Sequence, residues 1–200
     1  MAKAEQAGLP GEGLRERKRR ETAQRITDAG IALFIARGYE ATTLDDIAEK
    51  AGISRRSFFS YFKSKDDILL SLQSGTGKML VAALHDEPVE KPPLTAMRDA
   101  VIRVCAPFPM DEMMAMDRLM RSSESVQARK QASYIEHEKL LFEALRQKWP
   151  DPAREVSLRL LAMLSIGTIR LSLDEMSRTG GARPLTDLLA QYFDALDGTL

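Results

Sequence analysis

Two short helical segments joined by a glycine-containing turn constrain the fold of this chain more than any other feature. The first segment begins at Thr43, whose hydroxyl is placed to accept a hydrogen bond from an amide of the first turn, as helix-capping residues do. The turn 51–54 ends with Ser54, which is placed to cap the second segment. Phe58 and Phe62 are four residues apart and are predicted to face inward. A helix, a tight turn and a second helix form the helix-turn-helix arrangement.

Apolar residues recur at helical spacing along the rest of the chain, with breaks at proline and glycine. The pattern predicts an all-α protein of about nine helices and no strand. We expect three parts: a flexible basic N-terminal arm over residues 1–19, the helix-turn-helix domain over 20–66, and a larger helical domain over 67–200. The third helix is expected to run from Arg55 to Phe62.

The distribution of charge distinguishes the two ends of the chain. The 29 Lys and Arg balance the 29 Asp and Glu, which excludes a uniformly basic coat protein. Residues 1–65 nevertheless have a net charge of +4 and residues 66–200 one of −4. Residues 15–20 contain five basic side chains in six. This run either neutralises DNA phosphates or enters a minor groove, or it is simply solvated.

The sequence contains no constellation of catalytic residues. A single cysteine, Cys105, excludes an intrachain disulfide and a cysteine-rich metal site. Neither a zinc-protease motif nor a nucleophile elbow occurs, and His137 between two glutamates is interpreted as part of a solvated helix face. We therefore expect no enzyme, no metal and no cofactor. The absence of a secretory leader and of about 18 uncharged apolar residues in a row predicts a cytoplasmic protein that does not enter a membrane.

The segment from Gly38 to Lys65 resembles the signature of the TetR family of transcriptional repressors almost throughout. It reads GYEATTLDDIAEKAGISRRSFFSYFKSK, and the resemblance extends over roughly residues 20–70. The resemblance implies a homodimer in which each subunit has a DNA-binding head and a helical ligand-binding and dimerisation body. The partners would be a pseudo-palindromic double-stranded operator and a small-molecule effector that releases it.

Two arginines at the start of the third helix are the best candidates for reading bases. The guanidinium fork of Arg55 or Arg56 matches the O6 and N7 atoms of guanine, whereas the alternative is that both are merely solvated. The hydroxyl and ammonium groups of four residues near helix starts suit phosphates: Thr42, Thr43, Tyr61 and Lys65. Phe59 either touches a sugar or thymine methyl or simply packs. The candidate DNA contacts are Thr42, Thr43, Ser54, Arg55, Arg56, Ser57, Phe59, Ser60, Tyr61 and Lys65.

The body offers a weaker indication of its ligand. Methionines are concentrated between residues 110 and 120, and methionine adapts to irregular apolar shapes. This concentration indicates either a permissive pocket or ordinary core filling. The candidate ligand-binding residues are Met97, Cys105, Phe108, Met113, Met116 and Met120.

The last two helices show more apolar surface than a thin helical body buries easily. The residues concerned are Leu160, Met163, Leu164, Gly167, Leu171, Leu185, Leu188, Leu189 and Tyr192. They predict a four-helix bundle between two copies, and the alternative is a wholly intramolecular core. Two other functions stay open: a DNA-binding regulator without an effector, of the activator or global type, and a small-molecule-binding helical protein or enzyme without DNA function.

Overall fold

The structure is a computed structural model that describes residues 13–121 and 123–197. These residues contain ten α-helices, one 3-10 turn and no strand, so the all-α prediction is confirmed. The count is ten instead of about nine because Gly75 separates two helices, Lys65–Ser74 and Thr76–His85. The helices are α1 (Leu14–Arg37), α2 (Leu44–Lys50), α3 (Arg55–Phe58), α4 (Lys65–Ser74), α5 (Thr76–His85), α6 (Pro93–Cys105), α7 (Met110–Arg121), α8 (Glu124–Lys148), α9 (Glu155–Arg178, after the 3-10 turn Pro152–Arg154) and α10 (Leu185–Asp197).

The chain divides into two compact units, Met1–Leu69 and Leu70–Leu200. In the first unit, α1 packs on α2, and α2 packs on α3. The three helices enclose an apolar core, and two aromatic pairs lie in it: Phe34 with Tyr39, and Phe58 with Phe62. The core residues of this unit are Ile26, Ala29, Leu33, Phe34, Tyr39, Ile47, Ala48, Ala51, Phe58, Phe62, Ile68 and Leu69.

Helix α1 begins earlier than the sequence predicts. It starts at Leu14, so the flexible arm expected over residues 1–19 is wrong for residues 14–19. Arginine and lysine are good helix formers, and Arg17 Nε lies 2.9 Å from a carboxylate oxygen of Glu21, one turn further on. Such pairs stabilise a helix by a few tenths of a kcal/mol. Residues 1–12 lie outside the part of the chain that the structure describes.

The turn between α2 and α3 depends on Gly52. Its φ is +66°, a left-handed conformation that glycine adopts without the steric cost paid by other residues. The amide of Ile53 donates to the carbonyl of Ala48 at 3.0 Å and closes the end of α2. The chain can therefore reverse within four residues and present α3 at an angle to α2.

Helix α3 is shorter than the expected Arg55–Phe62 because its bonding tightens after Phe58. The amide of Ser60 donates to Ser57 at 3.0 Å and that of Tyr61 donates to Phe58 at 2.9 Å. These are bonds across three residues, as in a 3-10 helix. Phe58 and Phe62 are 0% and 8% exposed, so the prediction that both face inward is confirmed.

In the second unit, α9 contacts α6, α7, α8 and α10, while α5 packs on α6 and α8. The predicted solvation of His137 is wrong, because this side chain lies buried on α8. A Cβ added to Gly77 of α5 would lie only 2.7 Å from Cδ2 of the His137 ring. A glycine therefore permits the close approach of these two helices.

A buried carboxylate stabilises the connection between α5 and α6. The Glu87 carboxylate is almost fully buried, accepts from Lys91 Nζ at 2.6 Å and pairs with Arg103. Lys148 Nζ donates to the Glu87 carbonyl at 2.5 Å, and the Trp149 indole donates to the Val89 carbonyl at 2.8 Å. A buried carboxylate needs such partners, because leaving it unpaired costs several kcal/mol.

The apolar residues of α10 are placed differently from the prediction. Leu185, Leu188 and Leu189 are at most 3% exposed and lie in the core of their own unit. Tyr192 is half-buried, and its hydroxyl donates to Glu175 at 2.8 Å. The three leucines are thus not available to a second copy, because their own subunit covers them.

Helix α9, with the 3-10 turn before it, is long and apolar. By length and composition alone, Pro152–Arg178 could cross a membrane: its best 18-residue window has a mean hydropathy of 1.5, and 39% of that window is buried. The segment does not contradict the sequence prediction, which concerned an uncharged run of about 18 apolar residues, because Arg159 and Arg170 interrupt it. Passing this test is weak evidence for a span, since the core helices of many proteins that never enter a membrane also pass it.

Candidate nucleic-acid interface

The first turn of α2 is fixed by a capping box. The Thr43 hydroxyl accepts from the Asp46 amide at 3.1 Å, and the Asp46 carboxylate accepts from the Thr43 amide at 2.9 Å. The predicted cap is confirmed. Hydrogen bonds from the side chain and backbone of Thr43 hold the pKa of Asp46 below its ordinary value. Thr43 itself is exposed, so it remains a predicted phosphate contact.

The first turn of α3 presents two arginines to solvent. The Ser54 hydroxyl accepts from the Ser57 amide at 3.1 Å, which confirms the predicted cap. Arg55 pairs with Asp45 of α2 at 2.9 Å, and both side chains are exposed. Arg56 is also exposed, and among residues 13–121 and 123–197 no acid pairs with it. Arg56 can therefore contact a base without first giving up an ion pair.

Phe59 lies between the packed and the exposed sides of α3. It is 48% exposed, and its ring meets that of Phe58 edge to face at 5.7 Å. Half of the side chain thus remains accessible, as a contact to sugar or thymine methyl requires. The contact itself stays a prediction.

Two predicted phosphate contacts have structural partners inside the unit. Thr42 is 1% exposed, and its hydroxyl donates to the carbonyl of Gly38 at 2.8 Å. Its side chain is therefore not available to a phosphate, and this prediction is wrong. Lys65 Nζ donates to the carbonyl of Tyr39 at 2.8 Å and lies 4.2 Å from the centroid of that ring. Its ammonium group primarily connects α4 to the chain after α1.

We call residues 55–62, which comprise α3 and the turn after it, the α3 segment. A basic groove adjoins the end of this segment. It has a volume of about 620 Å³ and is lined by Leu14, Arg15, Lys18, Arg19, Thr22, Ser60 and Tyr61. Arg19 donates to the carbonyl of Ser60 at 3.4 Å, and its guanidinium lies 5.8 Å from the centroid of the Tyr61 ring. Cations beside hydroxyl groups suit phosphate oxygens.

Sequence reasoning found the basic run 15–20 but not the side of it that faces Ser60 and Tyr61. The signal was present, because Arg15, Lys18 and Thr22 recur at spacings of three and four, which place them on one helix face. A flexible arm has no fixed face, so the expectation of an arm over residues 1–19 gives these side chains no common surface.

The candidate ligand residues of the second unit do not share one environment. Met97 is fully buried and Phe108 is 48% exposed, while Cys105, Met113 and Met116 are partly buried. Met120 is also buried. Burial raises the pKa of the Cys105 thiol to about 11, so it stays protonated at neutral pH and is a poor nucleophile. The assignment of these six residues to a pocket stays a prediction.

Comparison with known proteins places this geometry in a family. The family model for bacterial regulatory proteins of the tetR family matches residues 26–72, which include both helices of the interface. The model for the MftR C-terminal domain matches residues 91–200, more than half of the chain. The chain belongs to the TetR family.

A relative of this TetR-family chain is itself a transcriptional regulator. The transcriptional regulator TcmR of Streptomyces glaucescens is 40% identical over 90 residues, which are 45% of this chain and 40% of TcmR. The match thus spans about two fifths of TcmR.

Two solved structures share the fold over both units. FadR of Thermus thermophilus, bound to lauroyl-CoA, has a TM-score of 0.57 at 24% identity and matches 89% of this chain and 95% of that chain. SmeT in its triclosan complex has a TM-score of 0.63 at 20% identity, over 88% of this chain and 91% of that chain.

Proposed function

We propose that this TetR-family chain is a homodimeric transcriptional repressor that acts in the cytoplasm and leaves its operator when a small molecule binds. One observation supports the DNA-binding part above all others. Phe58 and Phe62 anchor the α3 segment in the core, while Arg55 and Arg56 stay exposed in its first turn. That separation of faces is what a recognition helix needs in order to read a major groove.

Backbone contacts would come from the basic groove and the cap of α2. Lys18 and Arg15 of α1 supply positive charge beside Ser60 and Tyr61, and Thr43 adds an exposed hydroxyl. Contacts of this kind set the position of a protein on the duplex without reading its sequence. Binding would therefore weaken steeply with salt.

A second copy would cover the apolar stripe of α9. Val156, Leu160, Met163 and Leu171 are between 42% and 73% exposed, and their spacing, with Gly167 between them, places them on one helix face. Helix pairs from two copies that bury such stripes form a four-helix bundle. The two α3 helices of the dimer would read half-sites about 34–36 Å apart.

Release follows from differential binding. The two α3 helices of the dimer can lie at a spacing that fits the operator or at one that does not. An effector that binds the second arrangement more tightly than the first lowers operator affinity. A coupling free energy of about 1–3 kcal/mol corresponds to a roughly 5–150-fold loss of affinity. FadR with lauroyl-CoA and SmeT with triclosan are relatives in fold that bind small molecules. They support an effector in this chain without identifying it.

The test compares three arginine variants on DNA. Footprinting of the DNA upstream of the gene gives the operator, and its affinity is then measured for Arg56→Gln, Arg55→Gln and Arg178→Gln. Arg56→Gln should cost about 1–3 kcal/mol at one operator base pair and relax specificity there. Arg55→Gln should cost less, because Arg55 must first leave Asp45. Arg178→Gln, an exposed change in the second unit, should leave affinity unchanged.

Different results would support the alternatives. Equal losses by Arg56→Gln on operator and random DNA would make Arg56 a phosphate contact only. Operator binding that no small molecule changes would favour a regulator without an effector. A lack of any footprint, with binding that depends on salt alone, would contradict the repressor proposal and favour a small-molecule-binding protein or an enzyme.

A further inference from the structure

A small cavity lies in the second unit where α7, α8 and α9 meet. Its volume is about 70 Å³, which is room for several water molecules but well below the roughly 300–1,000 Å³ of a complete ligand pocket. A cavity of this size suits one polar group of a ligand. Polar and charged side chains line it, among them Arg121, Lys130, Gln131, Tyr134, Arg170 and Asp174.

Two of the cations are already neutralised by two acids. Arg121 donates to Asp117 and to Asp174, each at 2.7 Å. Lys130 Nζ lies 3.6 Å from the other oxygen of Asp117, whose side chain is only 4% exposed. These four charges cancel, and the buried Asp117 carboxylate needs both of its cationic neighbours.

Arg170 is the remaining charge. Its guanidinium carbon lies 5.2 Å from the centroid of the Tyr134 ring, and no acid pairs with it in residues 13–121 or 123–197. Stacking on an aromatic ring orients the guanidinium plane and leaves its N–H edges open to a ligand. Burial raises the pKa of Tyr134 to about 12, so the phenol keeps its proton and remains a hydrogen-bond donor.

We propose that this cavity binds the oxyanion group, a carboxylate or a phosphate, of an acidic small molecule, with Arg170 as its main partner. The excess of one positive charge matches one anionic group, and a guanidinium donates two parallel hydrogen bonds to either oxyanion. Gln131 and Tyr134 also line the cavity, and the side chain of each carries a hydrogen-bond donor. The proposal rests on the proposed function, since the acidic molecule would be the effector, but it is tested without DNA and can fail separately.

The experiment measures the melting temperature of the full chain with sodium acetate, with sodium phosphate and with sodium chloride at matched ionic strength and pH. At anion concentrations several times Kd we expect a rise of about 2–5 °C over chloride. A response to acetate alone would identify a carboxylate site, and a response to phosphate alone a phosphate site. Arg170→Gln should remove the rise, and Arg170→Lys should restore part of it.

Two control variants separate this cavity from other causes. Arg178→Gln removes an exposed cation from the same helix, and Lys18→Gln removes one from the groove of the first unit; both should keep the full rise. General salt stabilisation would be equal in every variant. A rise that survives in Arg170→Gln, or that disappears in Lys18→Gln, would overturn the proposal. A rise with tetramethylammonium that Asp174→Asn removes would show a cation site instead and would also overturn it.

Discussion

The helix caps of the candidate interface and the cavity of the second unit depend on polar contacts over very different distances along the sequence. In the caps the bonds join near neighbours: Thr43 with Asp46 and Ser54 with Ser57. In the second unit Arg121 reaches Asp174 across 53 residues. Local bonds can be read from a short segment, whereas long-range bonds depend on how helices pack. This difference explains why the candidate interface can be predicted from the sequence, whereas the cavity cannot.

Phe58→Ala is expected to produce the largest difference in stability between the two units. It removes a fully buried ring from the first core and should cost about 3–5 kcal/mol of unfolding free energy. The single tryptophan, Trp149, is buried in the second unit, so its fluorescence reports that unit alone. The urea-unfolding transition followed by circular dichroism should move to lower urea concentration, whereas the transition followed by Trp149 fluorescence should move much less.

The neighbouring variant Phe59→Ala is the control for Phe58→Ala. Phe59 is 48% exposed, so its loss should cost about 1 kcal/mol or less. If Phe58→Ala moves both spectroscopic transitions equally, the units unfold as one and the comparison between them fails for stability.

Gly77→Val tests the second unit with an intermediate effect. The added side chain would meet His137 at 2.7 Å and Leu140 at 3.2 Å, and such overpacking costs about 1–3 kcal/mol. The urea-unfolding transition followed by Trp149 fluorescence should move to lower urea concentration. Gly75→Val is the matched control, because no atom lies within 4 Å of a Cβ at that position; it should cost less than about 1 kcal/mol. Equal losses would show that helix propensity, and not the close approach, sets the effect.

Thr43→Ala has the smallest expected effect and tests one of the local hydrogen bonds of the first unit. Loss of the capping hydroxyl should cost about 1 kcal/mol, measured by urea unfolding followed by circular dichroism. Thr43→Ser keeps a hydroxyl and should retain most of the stability. A loss in Thr43→Ser as large as that in Thr43→Ala would mean that the methyl group matters more than the cap.

The sequence was sufficient for the elements that local chemistry determines. The caps at Thr43 and Ser54 and the inward faces of Phe58 and Phe62 are confirmed, because each depends on residues within four positions. Thr42 was misassigned because its burial follows from the way the chain folds back after α1, which no residue type reveals.

The second unit shows the same limit on a larger scale. Its helices follow from apolar spacing, but the burial of His137 depends on the absence of a side chain at Gly77, sixty residues earlier. Leu185, Leu188 and Leu189 have the same pattern whether they face their own core or a second copy. Nothing in the sequence distinguishes Arg170 from other arginines, because packing alone brings it to the Tyr134 ring.

The exposed stripe on α9 has a consequence for the living cell. If two copies must meet to cover it, the fraction of assembled protein rises with the concentration of the chain. A cell that makes little of the chain would hold mostly unassembled subunits and, under the proposed function, leave the operator unoccupied. Gene dosage would then act on transcription alongside any metabolite.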